Sequence, residues 1–429
     1  MKVLVIGGGG REHAMVWKLK QSPRVRKIWC APGNPGMEKL AERLPVAAND
    51  IDKLLRFAKK EAIDLTVVGP EGPLVAGIVD RFRAEGLKIF GPDKNAAQLE
   101  GSKSFAKNLM KKLGIPTADF REFDKPDAAM DYIAKMPLPI VIKVDGLAGG
   151  KGVSIVHSRP KAMEAVHLAM MKKVFGKAGE RVVIEEFLEG PEASLIAITD
   201  GKTIQSLASS QDHKRVFDGD NGPNTGGMGA YSPASFVSAD IEKEAHDKIF
   251  VPLVEEFRAA GHPFVGFIYA GVMLTSKGMK VLEFNVRLGD PEAQAILPRL
   301  ESDFAELLLA CCEERLAPAL LKWKEEDCVC VVLTSEGYPG DFEKGKRISG
   351  IGTAEGLPSV VIFHAGTDKQ GTDFVTAGGR VLNVVASGRG IFQALSRTYD
   401  AVNKIYFPGM HYRKDIASRA LEKGGSKAK

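Results

Sequence analysis

With 429 residues, 44% of them hydrophobic and 26% charged, the chain can bury more than one core, which excludes a disordered polymer and predicts two to four domains. The formal charge of +5 is spread over interspersed acids and bases; this argues against nucleic acid as a partner and leaves room for a basic pocket around phosphorylated metabolites. Five cysteines without zinc spacing read as reduced, buried thiols, and the absence of a secretory leader or a membrane-length apolar stretch predicts a cytoplasmic chain with no membrane partner.

In the first hundred residues short apolar runs alternate with helical patterns. Val3 to Ile6 precedes a helix from about His13, Ile28 to Cys30 precedes a helix from Ile51, and Leu65 to Val68 is followed by Lys88 to Phe90. Such alternation predicts a doubly wound parallel sheet, with Gly33-Asn34-Pro35-Gly36, Gly69-Pro70 and Gly91-Pro92 at strand ends, where ligand-facing loops lie. From Gly101 to about Leu320 the texture becomes α+β: helices near Ser102 to Leu113, Pro160 to Lys172 and Ala239 to Ala260 interleave with strands such as Ile140 to Val144 and Val182 to Phe187. After Trp323, strands at Cys328 to Leu333, Val360 to His364 and Arg380 to Ala386 precede a helix from Ile391, a smaller α+β closing domain.

The opening Gly7-Gly8-Gly9-Gly10-Arg11-Glu12 fails the dinucleotide fingerprint, because Glu12 stands where its third glycine belongs. Glycines before a helix still expose amide donors suited to a small phosphate or a sugar. Asp145-Gly146-Leu147-Ala148-Gly149-Gly150-Lys151-Gly152 is not a P-loop either, yet its glycines let amides curl over an anion while Lys143 and Lys151 add charge. The competing reading is a flexible hairpin with solvated lysines. The run Val182 to Glu192 is an apolar strand entering a Gly-Pro turn; its edge groups suit a purine, with Phe187 as an apolar wall and Glu192 accepting from ribose hydroxyls.

The run Lys280 to Arg287 reads as a strand with Glu283, Asn285 and Arg287 on one face and Leu282, Phe284 and Val286 towards the core. One carboxylate and one amide oxygen, completed by water and phosphate, suit Mg²⁺ better than zinc or calcium, and Arg287 can hold a carboxylate in a fork. The alternative is a solvated amphipathic strand.

Lys103, Lys143, the glycine loop to Gly152, Glu185 to Glu192, and Glu283 with Asn285 occur in an order that resembles the ATP-grasp superfamily. Arg287-Leu288-Gly289-Asp290-Pro291-Glu292-Ala293-Gln294 resembles, more narrowly, the signature of the phosphoribosylamine–glycine ligase family. Ser210 to Arg215, Gly222 to Tyr231, Gly7 to His13 and Val68 to Glu71 do likewise. This resemblance, with the texture described above, implies an N-terminal substrate-binding α/β domain (1–101), an ATP-grasp domain (102–322, lid subdomain about 118–190) and a C-terminal α+β domain (323–422), and the small polar residues 423–429 read from composition as a flexible tail.

It also implies ligation of glycine to 5-phosphoribosylamine with ATP as co-substrate, through a glycyl phosphate, in purine biosynthesis. Lys103, Lys143, Glu185, Leu188 and Glu192 would contact ATP, with Gly149, Gly150, Lys151, Gly152, Glu186 and Phe187 around it, and Glu283 and Asn285 would bind Mg²⁺ or Mn²⁺. Arg287 is expected to grip the glycine carboxylate, with Asp212 or Asp290 facing an amine and Lys214 beside them. Gly9, Gly10, Arg11, Glu12, Pro70 and Glu71 are expected to hold the phosphoribosyl group. Residues 145–152 are expected to close over nucleotide as a lid, since an acyl phosphate must be kept from water. Gly271 stands where many superfamily members have Asp, which weakens the case for a second protein-held metal ion. The chain is expected to act as a monomer, with at most transient contact with neighbouring pathway enzymes. A formate-using or carboxylating ATP-grasp ligase would change the Arg287 to Gln294 run, and a nucleotide sensor would not need Glu283, Asn285 and Arg287 together.

Overall fold

The computed structural model describes residues 1–149 and 151–424. Gly150, expected at the nucleotide, lies outside the described residues, as does 425–429; the helix Ser418–Gly424 extends into the segment expected as a tail from 423.

Lys2–Gly7 carries apolar side chains on both sides, so the strand it forms must be covered on both faces, as in a parallel sheet flanked by helices. Val3 and Val5 enter one core with Ala14 and Met15 of the helix Gly10–Leu19, while Leu4 and Ile6 enter another with Leu54 of the helix Ile51–Glu61. The sheet order is Glu42–Arg43, Lys27–Pro32, Lys2–Gly7, Leu65–Val68, Ile89–Phe90, with every pair parallel. Ile6 lies beside Val68, so the loops that follow these two strands open at the same sheet edge.

The next helix, Lys103–Leu113, starts where the Ser102 side chain accepts from the Phe105 amide and ends at Gly114, whose φ of 68° is costly for other residues. Two four-stranded antiparallel sheets follow. One runs Phe120–Phe123, Val182–Glu186, Ile140–Val144, Val153–Val156 over its own core of Ile140, Ile142, Val144 and Ile184. The other runs Ile204–Ser206, Glu192–Asp200, Val265–Thr275, Gly278–Asn285 and shares, through Ile268, Ala270 and Phe284, the core that holds Leu4 and Ile6.

A five-stranded antiparallel sheet takes Gln211–Asp212 and Gly229–Ser232 from the middle of the chain. These join Asp327–Thr334, Arg380–Gly388 and Val360–His364 from its end. The closing α+β unit is therefore built jointly with the 211–232 segment, which ties the 211–215 run to the last third of the chain. Cys30, Cys311, Cys328 and Cys330 are buried free thiols and Cys312 is partly buried, consistent with their apolar surroundings in sequence. Among the described residues no helix is long and apolar enough to cross a membrane.

Candidate active site

A cavity of about 780 Å³ opens between the sheets, and residues from all three parts of the chain line it. Its wall is built on the strand Gly278–Asn285. Gly271 pairs with Glu283 and Val272 with Val281, so Leu282 is an extra residue with no partner opposite. A bulge of this kind turns a strand and re-aims its side chains. Leu282, expected in the core, instead lines the cavity beside Glu283, because the bulge interrupts the alternation on which that expectation rested. Phe284 and Val286 are buried as expected.

Glu283 faces Lys103, the first residue of the capped helix, at 3.1 Å. The Lys103 ammonium outweighs burial and, with Lys214 and Lys143, holds the Glu283 carboxyl well below the ordinary carboxylate range. The Asn285 amide oxygen is 2.9 Å from the Arg287 guanidinium. An ionised carboxylate and an amide oxygen on one strand fit a hard divalent cation that takes its remaining oxygens from phosphate and water.

One turn along the same helix, Lys107 lies 3.1 Å from Glu185, whose other close cation is Lys143 at 2.9 Å. Lys143 also donates to the bulge carbonyl of Leu282 at 2.8 Å, so the bulge seats the cation as well as the carboxylate. Burial, opposed by Glu185 and assisted by Lys143, brings the Lys107 ammonium down to about 8. Lys107 was not singled out in the sequence; its spacing of four from Lys103 on one helix was the available signal.

Leu188 packs with Ala118, Met273 and Leu282 in a small apolar cluster, and Phe187, Glu186 and Glu192 line the cavity near it. Gly149 and Gly152 are lining residues; Lys151 is exposed and lies outside the lining.

Arg287 is held by four acceptors: Glu100 at 2.8 Å, Glu71 at 3.3 Å, Asn285 at 2.9 Å and the Leu288 carbonyl at 3.2 Å. Glu100 was also missed. It is buried in the short helix Gln98–Gly101, and burial pushes its carboxyl up despite the Arg287 charge.

Beyond Arg287 the carboxylates crowd. Glu292 accepts from Ser194 at 3.0 Å and Tyr269 at 2.8 Å, and the Asp212 Oδ1 is buried with no hydrogen-bond partner. Burial first, and the neighbouring Glu292 second, push the Asp212 carboxyl well above its ordinary value. Lys214, 3.0 Å from Glu192, stays charged because Glu192 and Glu283 outweigh burial. Asp290 accepts from Gln294 at 2.7 Å and lies 3.1 Å from Arg380. Burial would raise its carboxyl, but Arg380 and Arg11 outweigh that and hold it low, so Asp290 is already paired with cations.

Of the N-terminal residues expected at a substrate, Arg11, Pro70 and Glu71 line the cavity, and Gly9, Gly10 and Glu12 do not. Glu12 is buried, accepting from the Gly9 amide at 2.7 Å and Arg11 at 2.6 Å. A Cβ on Gly10 would lie 2.2 Å from the Asn383 amide nitrogen, so this glycine is required by packing against the C-terminal sheet.

The chain matches family models along most of its length: the N domain of phosphoribosylglycinamide synthetase over residues 1–100, its ATP-grasp (A) domain over 101–293 and its C domain over 328–419. It is 48% identical to the phosphoribosylamine–glycine ligase of Escherichia coli K12, covering 99% of each chain. It is likewise 48% identical to that of Caldanaerobacter subterraneus subsp. tengcongensis, covering 97% of this chain and 100% of the relative. Among solved structures, the phosphoribosylamine–glycine ligase of Thermotoga maritima superposes with a TM-score of 0.85 at 34% identity, covering 97% of this chain and 100% of that one. A biotin carboxylase from Campylobacter jejuni shares the fold at a TM-score of 0.73 and 15% identity, covering 96% and 92%.

Proposed function

The chain belongs to the phosphoribosylamine–glycine ligase family, whose members join glycine to phosphoribosylamine with ATP in purine biosynthesis, and from that premise we propose how its cavity divides the work. The observation that carries the reading is the Glu283–Lys103 pair on the cavity wall, with Arg287 and Asp212, whose Oδ1 has no hydrogen-bond partner, on the same cavity.

ATP occupies the end lined by Leu188, Phe187, Glu186 and Glu192, with its base against the apolar cluster of Ala118, Met273 and Leu282. Lys103, Lys143 and the Gly149 and Gly152 amides serve its phosphates, with Lys151 at the rim. Glu185, between Lys107 and Lys143, keeps Lys143 in place. Glu283 and Asn285 hold the divalent ion, which we take to be Mg²⁺ or Mn²⁺. Bound there, it would neutralise charge on the nucleotide phosphates.

Glycine lies beyond the γ-phosphate, its carboxylate near Arg287 and its ammonium facing Asp212 and Glu292. Arg287 already binds Glu71 and Glu100, so its part is to orient the carboxylate with the donors left over. A glycine carboxylate oxygen forms a bond to the γ-phosphorus as the bond to the ADP oxygen breaks. The amine of phosphoribosylamine then adds to the carbonyl carbon of glycyl phosphate. Phosphate leaves with the former carboxylate oxygen, and the amine proton passes to phosphate or water. No group on the protein is acylated. The buried His213, whose ring burial drives down to about 4, stays neutral and holds structure through the Ala417 amide at 3.4 Å. The acceptors are small molecules, and the chain acts as a cytoplasmic monomer.

The test is ADP formation across a matrix of carboxylates and amines. Strict dependence on both glycine and phosphoribosylamine is expected, and ADP release that ignores either substrate defeats the reading.

A further inference from the structure

The phosphate of phosphoribosylamine needs a cationic seat besides Lys103, Lys143 and Arg287, which the reading above gives to ATP and glycine. Lys103 faces Glu283, Lys143 faces Glu185, Lys214 faces Glu192, and Arg287 faces both Glu71 and Glu100. The N-terminal glycine run does not supply a free cradle, since the Gly9 amide is taken by Glu12 and the space over Gly10 is filled by Asn383 and Gln294.

Arg380, the first residue of the strand Arg380–Gly388, reaches the cavity from the C-terminal sheet. Its Nη1 donates to the carbonyls of Gly226 at 2.7 Å and Asp290 at 2.6 Å, and its Nη2 lies 3.1 Å from the Asp290 carboxylate. These contacts use at most three of the five N–H donors of a guanidinium and fix its plane, leaving donors on a side chain 21% exposed. Arg11 approaches the same carboxylate from the N-terminal domain. It gives Nε to Glu12 and Nη1 to the Leu288 carbonyl and likewise keeps donors for the cavity. A Cβ on Gly9 would stand 3.5 Å from Asp290 Oδ2, the oxygen that Arg380 Nη2 contacts, which places the loop before Arg11 next to the Arg380–Asp290 pair. Two guanidinium forks held near one carboxylate, each with donors to spare, suit a tetrahedral dianion.

We propose that Arg380, with Arg11 opposite it, binds the 5′-phosphate of phosphoribosylamine, and that Asp290 is the positioning residue that aims both. The proposal rests on the ligase reading above and adds to it a substrate contact from the C-terminal sheet.

Calorimetry with the full chain tests it, using two probes: glycinamide ribonucleotide, the stable product, and its 5′-dephosphorylated riboside. Arg380→Gln is expected to bind the ribonucleotide about 10- to 100-fold more weakly, with the riboside within about twofold of the parent chain. Arg380→Lys, which keeps the charge without the fork, is expected to fall between, and MgADP binding is expected to stay unchanged in both variants. Equal weakening of both probes, or no weakening of the ribonucleotide, overturns the proposal. If the parent chain binds neither probe while holding MgADP, the ligase reading itself fails, an outcome separable from the loss of Arg380.

Discussion

Glu283 and Lys103 hold one another ionised at 3.1 Å, so removing the carboxylate charge deprives the proposed metal seat of its ionised oxygen and leaves the ammonium unpaired. Glu283→Gln is expected to lower turnover on the order of a hundredfold or more, because stabilisation of transferring phosphoryl charge is lost while the strand itself is kept. Steady-state ADP release against added metal reads this, and turnover within about twofold of the parent would contradict it. Asp212 makes the opposite case. Its Oδ1 has no partner, and burial with Glu292 lifts its carboxyl, so the ionised form destabilises the ligand-free fold as pH rises above the unfolded carboxylate value. Asp212→Asn should therefore raise Tm at neutral pH while raising the KM for glycine about tenfold or more, the trade expected of a group held for a ligand. A lower Tm together with an unchanged glycine KM would show that Asp212 serves packing instead.

At the scale of elements, the hairpin between Ile140–Val144 and Val153–Val156 is anchored at its base, where Asp145 accepts from the Ser102 hydroxyl at 2.8 Å and the Ser104 amide at 3.1 Å. Leu147 beyond that anchor is 39% exposed and also lines the cavity. Nucleotide packed beneath it should shield it, so cleavage by a protease that cuts at leucine is expected to slow several-fold at Leu147 with MgATP. Equal rates with and without nucleotide would remove this segment from the site. The strands that carry these groups were legible in the sequence, because Lys2–Gly7, Ile140–Val144 and Gly278–Asn285 are short apolar runs bounded by glycine or proline. Glu283, Asn285 and Lys143 were legible with them, since a polar residue kept on such a run has few other uses. Leu282 was misplaced because a bulge leaves no mark in residue type. Lys107, Glu100, Glu292 and Arg380 escaped because they act through partners 78, 187, 98 and 90 positions away, and periodicity reports only near neighbours.

The first and last parts of the chain meet over a shared apolar core, in which Ala14 and Met15 join Phe363 and Val385, and a polar seam lies beside it. His13, on the helix Gly10–Leu19 that also carries Arg11, accepts the His364 backbone amide on Nδ1 at 2.9 Å, and Asn34 donates to both the Gly8 and His364 carbonyls. Because His13 must keep a lone pair on Nδ1 to make this bond, protonation breaks the seam and desolvates a charge at the same time. Burial, and then the proximity of His364, bring His13 down to about 3; burial, then Lys39 and Lys369, bring His364 down to about 4. An unfolded histidine titrates near 6.5, so between that value and the folded values the unfolded chain binds more protons. Stability from these residues is thus full above pH of about 6.5 and lost progressively as pH falls towards 4, about 1 kcal/mol for each histidine by pH 5.5. The expected signature is a Tm that drops between pH 7 and pH 5. His13→Gln, whose amide oxygen can still accept from His364, should show a shallower drop. A flat profile in the parent chain, or an equal slope in the variant, would mean that the two ends of the molecule are joined without these rings.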